Sequence, residues 1–118
     1  MKLERIKTDC GDIVVKLFGE FDAEGSNKIR QAFENIAEQP DPEIVFLDLD
    51  DVTFIDSSGV GAIVFLFKRL KENNRKLMII GVHGQPRELL ELLRIHKAIP
   101  VELAAGEDPI KDAESCAA

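Results

Sequence analysis

Two serines and two glycines stand together in the segment FIDSSGVGA, residues 54–62, between a run of strand-forming residues and a run of helix-forming residues. A serine at such a corner can attack a substrate, accept a phosphoryl group or cap the helix that follows. The nucleophile elbow GxSxG requires a glycine two places before the serine, but Ile55 and Asp56 occupy that place for Ser57 and Ser58. We therefore expect no catalytic nucleophile here and predict that the chain is not an enzyme.

Patterns for cofactor and metal binding are also absent from the sequence. The dinucleotide-binding fingerprint GxGxxG would match Gly59-Val60-Gly61 only if a third small residue followed at position 64, and Val64 stands there instead. The phosphate loop GxxxxGK[ST] does not occur, and Cys10 and Cys116 show neither CxxC nor CxxH spacing. The sequence therefore predicts no cofactor and no metal site.

Length and charge restrict the class of protein further. With 118 residues, 45% of them hydrophobic, residues 1–118 are expected to form one domain. A formal net charge of -7 without a basic cluster argues against nucleic acid and suits a basic protein partner. The start of the chain does not resemble a signal peptide, and no apolar run approaches the roughly 20 residues that span a bilayer. We expect a cytoplasmic protein that does not insert into membranes.

Alternating apolar patterns predict the elements that must hold this corner in place. The order is that of an α/β domain: a mixed sheet of four to five strands with about four helices packed over it. The final helix is weak and is expected to fray. The predicted strands cover residues 2–8, 12–18, 43–49, 76–82 and 100–104, and a short run at 52–55 continues the third of them. The predicted helices cover residues 23–38 and 58–73, a segment from Pro86 onward, and residues 107–118.

The corner itself has a purely structural interpretation, because Asp56, Ser57 and Ser58 are residue types that cap helices. Capping does not explain the glycines that follow. Gly59 and Gly61 each cost about 1 kcal/mol in a helix relative to alanine, and a cap needs neither of them. Their missing side chains would allow another backbone or a phosphate donor to approach closely.

The helix after the corner carries one aromatic residue on its polar side. At 100° per residue, Val60, Ile63, Leu66 and Leu70 share a broad apolar face with their neighbours, whereas Gly61, Ala62 and Phe65 fall on the opposite side. Phe65 is either a surface residue shielded by its neighbours or part of a binding surface. Because it lies beside Gly61, Ala62 and the corner, we predict that it belongs to a partner-binding patch.

Taken together, these segments resemble a known family. FLDLDDVTFIDSSGVGAIV, residues 46–64, resembles the signature of the STAS domain, and in particular of bacterial anti-sigma factor antagonists. VVKLFGEFDAEGSNKIRQAF, residues 14–33, is similar to the family's second strand, Gly-x-Leu-Asp loop and first helix. KLMIIGVHGQPRELLELLRI, residues 76–95, is similar to its later strand and helix, so the resemblance covers most of the chain.

The resemblance implies a partner switch. In that family an anti-sigma factor with serine kinase activity phosphorylates the serine directly after the aspartate, and a PP2C-type phosphatase restores it. The unmodified form binds the anti-sigma factor and frees the sigma factor. On this chain the phosphoacceptor would be Ser57, and the predicted partner-binding residues are Asp22, Asp56, Ser58, Gly59, Gly61, Ala62 and Phe65. Phe65 departs from the small residue expected at its position.

Elementary electrostatics agrees with a switch at this place. A phosphate adds roughly -1.5 to -2 charges, which the N-terminus of a helix tolerates and an acidic or apolar partner surface does not. Two alternatives stay open: a STAS subunit of another signalling or transport assembly, and a small module that binds an anion or nucleotide. No Lys or Arg stands within the corner to neutralise a phosphate ligand, which favours the switch. A monomer and a homodimer are both compatible with the sequence.

Overall fold

The computed structural model describes residues 1–9, 11–40 and 43–103. Its elements follow the predicted order, and two of them, α1 and β4, have the predicted bounds. The strands are β1 (Lys2–Lys7), β2 (Ile13–Phe21), β3 (Ile44–Ile55), β4 (Lys76–Val82) and β5 (Val101–Leu103), and the α-helices are α1 (Ala23–Glu38), α2 (Ser57–Glu72) and α3 (Gly84–Leu92), followed by a 3-10 turn at Ile95–Lys97.

The five strands form one mixed sheet in the order β1-β2-β3-β4-β5. The first two strands are antiparallel, and the other neighbouring strands are parallel. At the turn between β1 and β2, the Gly11 N–H donates to the Thr8 carbonyl at 3.0 Å, and Gly11 adopts a φ of +87° that suits glycine. The predicted mixed sheet is confirmed. The described residues contain three of the four predicted α-helices, and the fourth, over 107–118, lies outside them.

Two predicted segments, 43–49 and 52–55, form the single strand β3. The sequence predicts two segments because the charged residues Asp50 and Asp51 interrupt the apolar pattern between them. Both side chains are exposed, whereas Leu49 and Val52 on either side of them are buried. The strand stays paired with β2 through register shifts, which absorb the irregular alternation.

All three α-helices pack on one face of the sheet and form the core there. Phe21 at the end of β2 and Phe33 in α1 meet edge to face, with ring centroids 6.3 Å apart. The core combines sheet residues Val15, Leu17, Val45, Leu47, Leu49 and Ile79 with helix residues Ile29, Phe33, Ile63, Leu66, Leu70 and Leu90. In β4, Ile79 faces this core and the next residue, Ile80, is also buried, so the predicted burial of both faces holds at these residues although the α-helices cover only one face.

A buried arginine closes the far end of α1. Arg75 is 4% exposed, and its Nη1 donates to the carbonyl oxygens of Ile36 and Gln39, both at 2.6 Å. The Asn73 side chain adds a bond of 2.7 Å to the Ala37 carbonyl. The last turn of α1 has no basic residue of its own, so the loop after α2 supplies the positive charge that a helix C-terminus favours.

Candidate functional site

The corner containing Ser57 lies beside a second corner of the same construction. β2 and β3 are parallel neighbours, and their last residues, Phe21 and Ile55, are partners in the sheet. An aspartate follows each strand directly, Asp22 before α1 and Asp56 before α2. Because the carboxyl ends of parallel strands meet at one edge of the sheet, the two aspartates and both helix N-termini lie at that edge.

Each aspartate caps the helix that follows it. Asp22 Oδ1 accepts the Gly25 N–H at 2.8 Å, and Asp56 Oδ1 accepts those of Ser58 and Gly59 at 2.9 and 3.1 Å. The cap that the sequence assigned to three candidate residues is therefore made by Asp56. Within the described part of the chain, neither Ser57 nor Ser58 uses its hydroxyl in a hydrogen bond.

The two corners share the pattern Asp-x-x-Gly, and packing explains the glycine in both. A Cβ added to Gly25 would lie 2.6 Å from the Glu20 carbonyl oxygen. A Cβ added to Gly59 would collide with the Phe21 carbonyl oxygen and lie 2.7 Å from Ile55 Cγ1. The backbone that approaches Gly59 closely is thus the chain's own strand β2, and the fold accounts for this glycine without a partner.

The serines are what distinguish the second corner from the first. Ala23 and Glu24 occupy the positions in the first corner that Ser57 and Ser58 occupy in the second. Both serines are exposed, and Ser57 is the first residue of α2. With Asp56 and Gly59 engaged in capping and packing, the hydroxyls of Ser57 and Ser58 are the groups of this motif that remain available to an external molecule.

A groove runs between α1 and α2 from these N-termini and encloses about 280 Å³. The residues that line it recur at helical spacing on both walls. From α2 come four of the predicted partner-binding residues, Ser58, Gly61, Ala62 and Phe65, and from α1 come Ala23, Ser26, Asn27, Arg30 and Phe33. The structure therefore brings the α2 residues to one surface and adds an α1 wall that sequence reasoning missed.

Phe65 lies in this groove rather than on an open surface. Its side chain is half-buried, and the Arg69 guanidinium carbon lies 5.7 Å from its ring centroid. Gly61, one turn earlier, faces open space, since an added Cβ there meets nothing within 4 Å. Gly59 and Gly61 therefore differ in kind: the fold needs the first and does not need the second.

The corner itself contains no Lys or Arg, but the folded chain adds a cation from α1 to the groove that begins there. Arg30 is 27 residues before Ser57 in sequence, but α1 packs against α2 and places Arg30 in the same groove as Ser58. No pattern in the sequence distinguishes Arg30 from Lys28, the other exposed basic residue of α1.

A glutamine from α3 holds the strand end that carries the corner. β4 pairs with β3 only as far as Asp48, so the last residues of β3 lack that neighbour. At Ile55 the Gln85 side chain supplies the hydrogen bonds that a neighbouring strand would otherwise make. The Ile55 N–H donates to Gln85 Oε1 at 2.9 Å, and Gln85 Nε2 donates to the Ile55 carbonyl at 2.8 Å. This residue was also missed, because only the tertiary structure brings Gln85 beside Ile55.

Asp48 is the residue of β3 whose ionisation the fold perturbs. Burial raises the pKa of the Asp48 carboxyl, although the Asp50 N–H donates to its Oδ1 at 2.9 Å and Lys16 lies nearby, both of which oppose the rise. Asp50 in turn is contacted by His83, whose Nε2 lies 2.7 Å from the Asp50 carbonyl oxygen. This group lies on β3 before the corner and does not line the groove.

The fold is that of a small α/β domain, a mixed sheet with its helices on one face and two capped corners at one edge. Ser57 and Ser58 of the second corner are exposed. The family model of the STAS domain matches residues 4–108. The chain therefore belongs to the STAS domain family, as the motifs predicted. Among the described residues, no helix is long and apolar enough to cross a membrane.

Relatives and solved structures agree with this assignment. The anti-sigma-B factor antagonist of Listeria monocytogenes is 26% identical over 107 residues, which cover 91% of this chain and 93% of the relative. An anti-sigma-factor antagonist (STAS) domain protein from Planctomyces limnophilus has the same fold, with a TM-score of 0.80 at 19% identity over 98% of both chains. The Bacillus cell fate determinant SpoIIAA, solved in its phosphorylated form, gives a TM-score of 0.72 at 19% identity, covering 93% of this chain and 97% of that one.

Proposed function

We propose that this chain is an anti-sigma factor antagonist that works by partner switching, with Ser57 as the phosphoacceptor. The observation that carries the proposal is the exposed Ser57 hydroxyl at the first residue of α2, beside a capping aspartate and a packed glycine. Relatives named anti-sigma-B factor antagonists match over nine-tenths of both chains, which supports the same role here.

In this proposal the unmodified form binds an anti-sigma factor that is also a serine kinase, and the bound anti-sigma factor releases its sigma factor. The partner would pack over Ser57 and the groove wall formed by Ser58, Gly61, Ala62 and Phe65. Asp22 and Asp56 lie at the same edge and would border this contact. The role of the chain is binding rather than catalysis, in the cytoplasm, where the partner supplies the kinase and a PP2C-type phosphatase reverses the modification.

Phosphorylation would act on the interface rather than on the fold. The added roughly -1.5 to -2 charges at the start of α2 meet a favourable helix dipole, so the domain keeps its structure. A partner surface packed over the same place would face a desolvated phosphate beside two carboxylates, Asp22 and Asp56, and would dissociate.

The proposal is tested with Ser57→Ala and Ser57→Asp as baits in the native cell lysate. We expect the Ser57→Ala chain to retain a kinase-like ATPase, identified by mass spectrometry, that the Ser57→Asp chain releases. Asn35→Asp provides a matched control, because it adds the same charge to an exposed helical position about three turns from the corner. Identical captures by the two Ser57 variants, or no capture by either, would reject the switch.

One observation favours a second candidate, the module that binds a small anion or nucleotide. Arg30 and Ser58 line one groove at the N-terminus of α2, a combination that suits a phosphate group. Titration with ATP and with inorganic phosphate decides the question. A saturable shift of the Ser57, Ser58 and Gly59 backbone amides at micromolar ligand would favour this candidate over the partner switch.

A further inference from the structure

We infer that the binding partner inserts an apolar side chain and an adjacent carboxylate into the groove between α1 and α2, and that Arg30 selects this partner. The inference rests on the proposed function and adds the chemistry of the partner to it. The sequence pointed only to the α2 wall of the groove, whereas Arg30 belongs to α1.

Arg30 is an unengaged cation at a place where neighbouring cations are engaged. Lys28 on the same helix lies 3.4 Å from the Glu24 carboxylate, and Arg69 lies over the Phe65 ring. Arg30 is exposed and makes no hydrogen bond or ion pair with another described residue. Among the described residues that line the groove, it is the only one with a charge. Its five N–H donors are therefore available to an external acceptor, and a carboxylate fits their planar geometry.

The rest of the groove suits an apolar side chain. Ala62 and Phe65 supply apolar surface above the fully buried Phe33, and Gly61 leaves its side of the groove open. Its volume of about 280 Å³ is close to the lower end of the roughly 300–1,000 Å³ that ligand pockets usually enclose. The groove can therefore hold one or two apolar side chains of a protein.

A partner of this kind also explains how the switch releases it. Ser57 is the first residue of α2 and precedes Ser58 of the groove, so a phosphate on Ser57 would repel a partner carboxylate and compete with it for Arg30. The net charge of -7 favours a partner that is basic elsewhere on its surface. An acidic side chain of the partner is favoured only in the groove, because Arg30 is the charged residue among those that line it.

The experiment uses the kinase captured by the Ser57→Ala chain, purified and titrated calorimetrically against further variants of that chain. We expect Arg30→Glu to weaken binding by at least about 30-fold. Lys28→Glu is the matched control, because it makes the same change in charge on the same helix without lining the groove, and we expect less than about 3-fold from it. Thermal unfolding of both variants verifies that each is folded.

A chemical test addresses the carboxylate directly. In the Arg30→Lys chain a carbodiimide can join the introduced amine to a partner carboxylate as an amide, with loss of one water to the reagent. Mass spectrometry should then identify an Asp or Glu of the partner linked at position 30. Equal binding by the Arg30→Glu and Lys28→Glu chains, or no link at position 30 while other lysines react, overturns the inference and leaves the partner switch intact.

Two other outcomes overturn it in different ways. If the wild-type chain forms a dimer that Arg30→Glu dissociates, the groove holds a second copy rather than a partner. If the Ser57→Ala chain captures no kinase, the proposed function fails and this inference fails with it.

Discussion

Two glycines of α2, two residues apart, are expected to respond in opposite ways to the same substitution. Replacing either Gly59 or Gly61 with alanine removes backbone freedom from the unfolded chain and improves helix propensity by about 1 kcal/mol. The surroundings of the added methyl group then decide the sign. At Gly61 the methyl group meets nothing within 4 Å, so the full gain is expected.

At Gly59 the methyl group meets groups that cannot move away easily. It collides with the Phe21 carbonyl oxygen and lies 2.7 Å from Ile55 Cγ1 and 2.9 Å from Phe21 Cγ. The Phe21 carbonyl belongs to β2, and it also accepts the Asp56 N–H at 3.3 Å. Overpacking of this kind costs about 1–3 kcal/mol or more, and here it displaces the strand ends that hold the corner. We expect Gly59→Ala to be destabilising by about 1–2 kcal/mol after the propensity gain is subtracted.

The assay is urea and thermal unfolding followed by circular dichroism at about 222 nm, since the chain has no Trp or Tyr. Gly61→Ala should raise Tm by about 4 °C, and Gly59→Ala should lower it by at least as much. Titration of the captured kinase should show weaker binding by the Gly61→Ala chain than by the unsubstituted chain, because a methyl group in the groove obstructs the partner. A Gly61→Ala chain that is both destabilised and unchanged in partner binding would refute this reasoning.

Three further substitutions test how the fold holds the site. Arg75→Met leaves carbonyl groups at the end of α1 without their donor and should lower the free energy of unfolding by about 2–4 kcal/mol, measured in urea. Gln85→Glu keeps the acceptor for the Ile55 N–H and loses the donor to its carbonyl, so hydrogen exchange at Ile55 should speed up more than exchange in α1. Burial raises the pKa of Asp48, so the protonated carboxyl favours the folded state. The stability that it contributes is lost as the pH rises from the ordinary pKa of 3.8 through the raised pKa. Asp48→Asn should therefore reduce the fall in stability over that pH range, whereas an unchanged pH profile would show that Asp48 does not cause it.

Local patterns were sufficient for elements whose residues satisfy each other. The bounds of α1 were predicted correctly because its apolar spacing, a preceding aspartate and a following proline all act within a few residues. The same holds for β4, an apolar run between turn residues. The N-terminal boundary of α3 was placed at Pro86, although the helix begins at Gly84. His83 occupies the N-cap there without a side-chain cap bond, so the usual signal of a helix start is missing.

The sequence alone therefore determined the family, the order of elements and the corner at Ser57, because a strand, a capping aspartate and a helix that follow one another depend on neighbouring residues. Only the tertiary structure decided that Gly59 is required by β2, that Gln85 holds Ile55, and that Arg30 shares a groove with Phe65. These pairs are between 30 and 38 residues apart, with Gln85 30 residues from Ile55. Whether they meet depends on how parallel strands align and how α1 packs against α2, and short-range pattern carries no information about either.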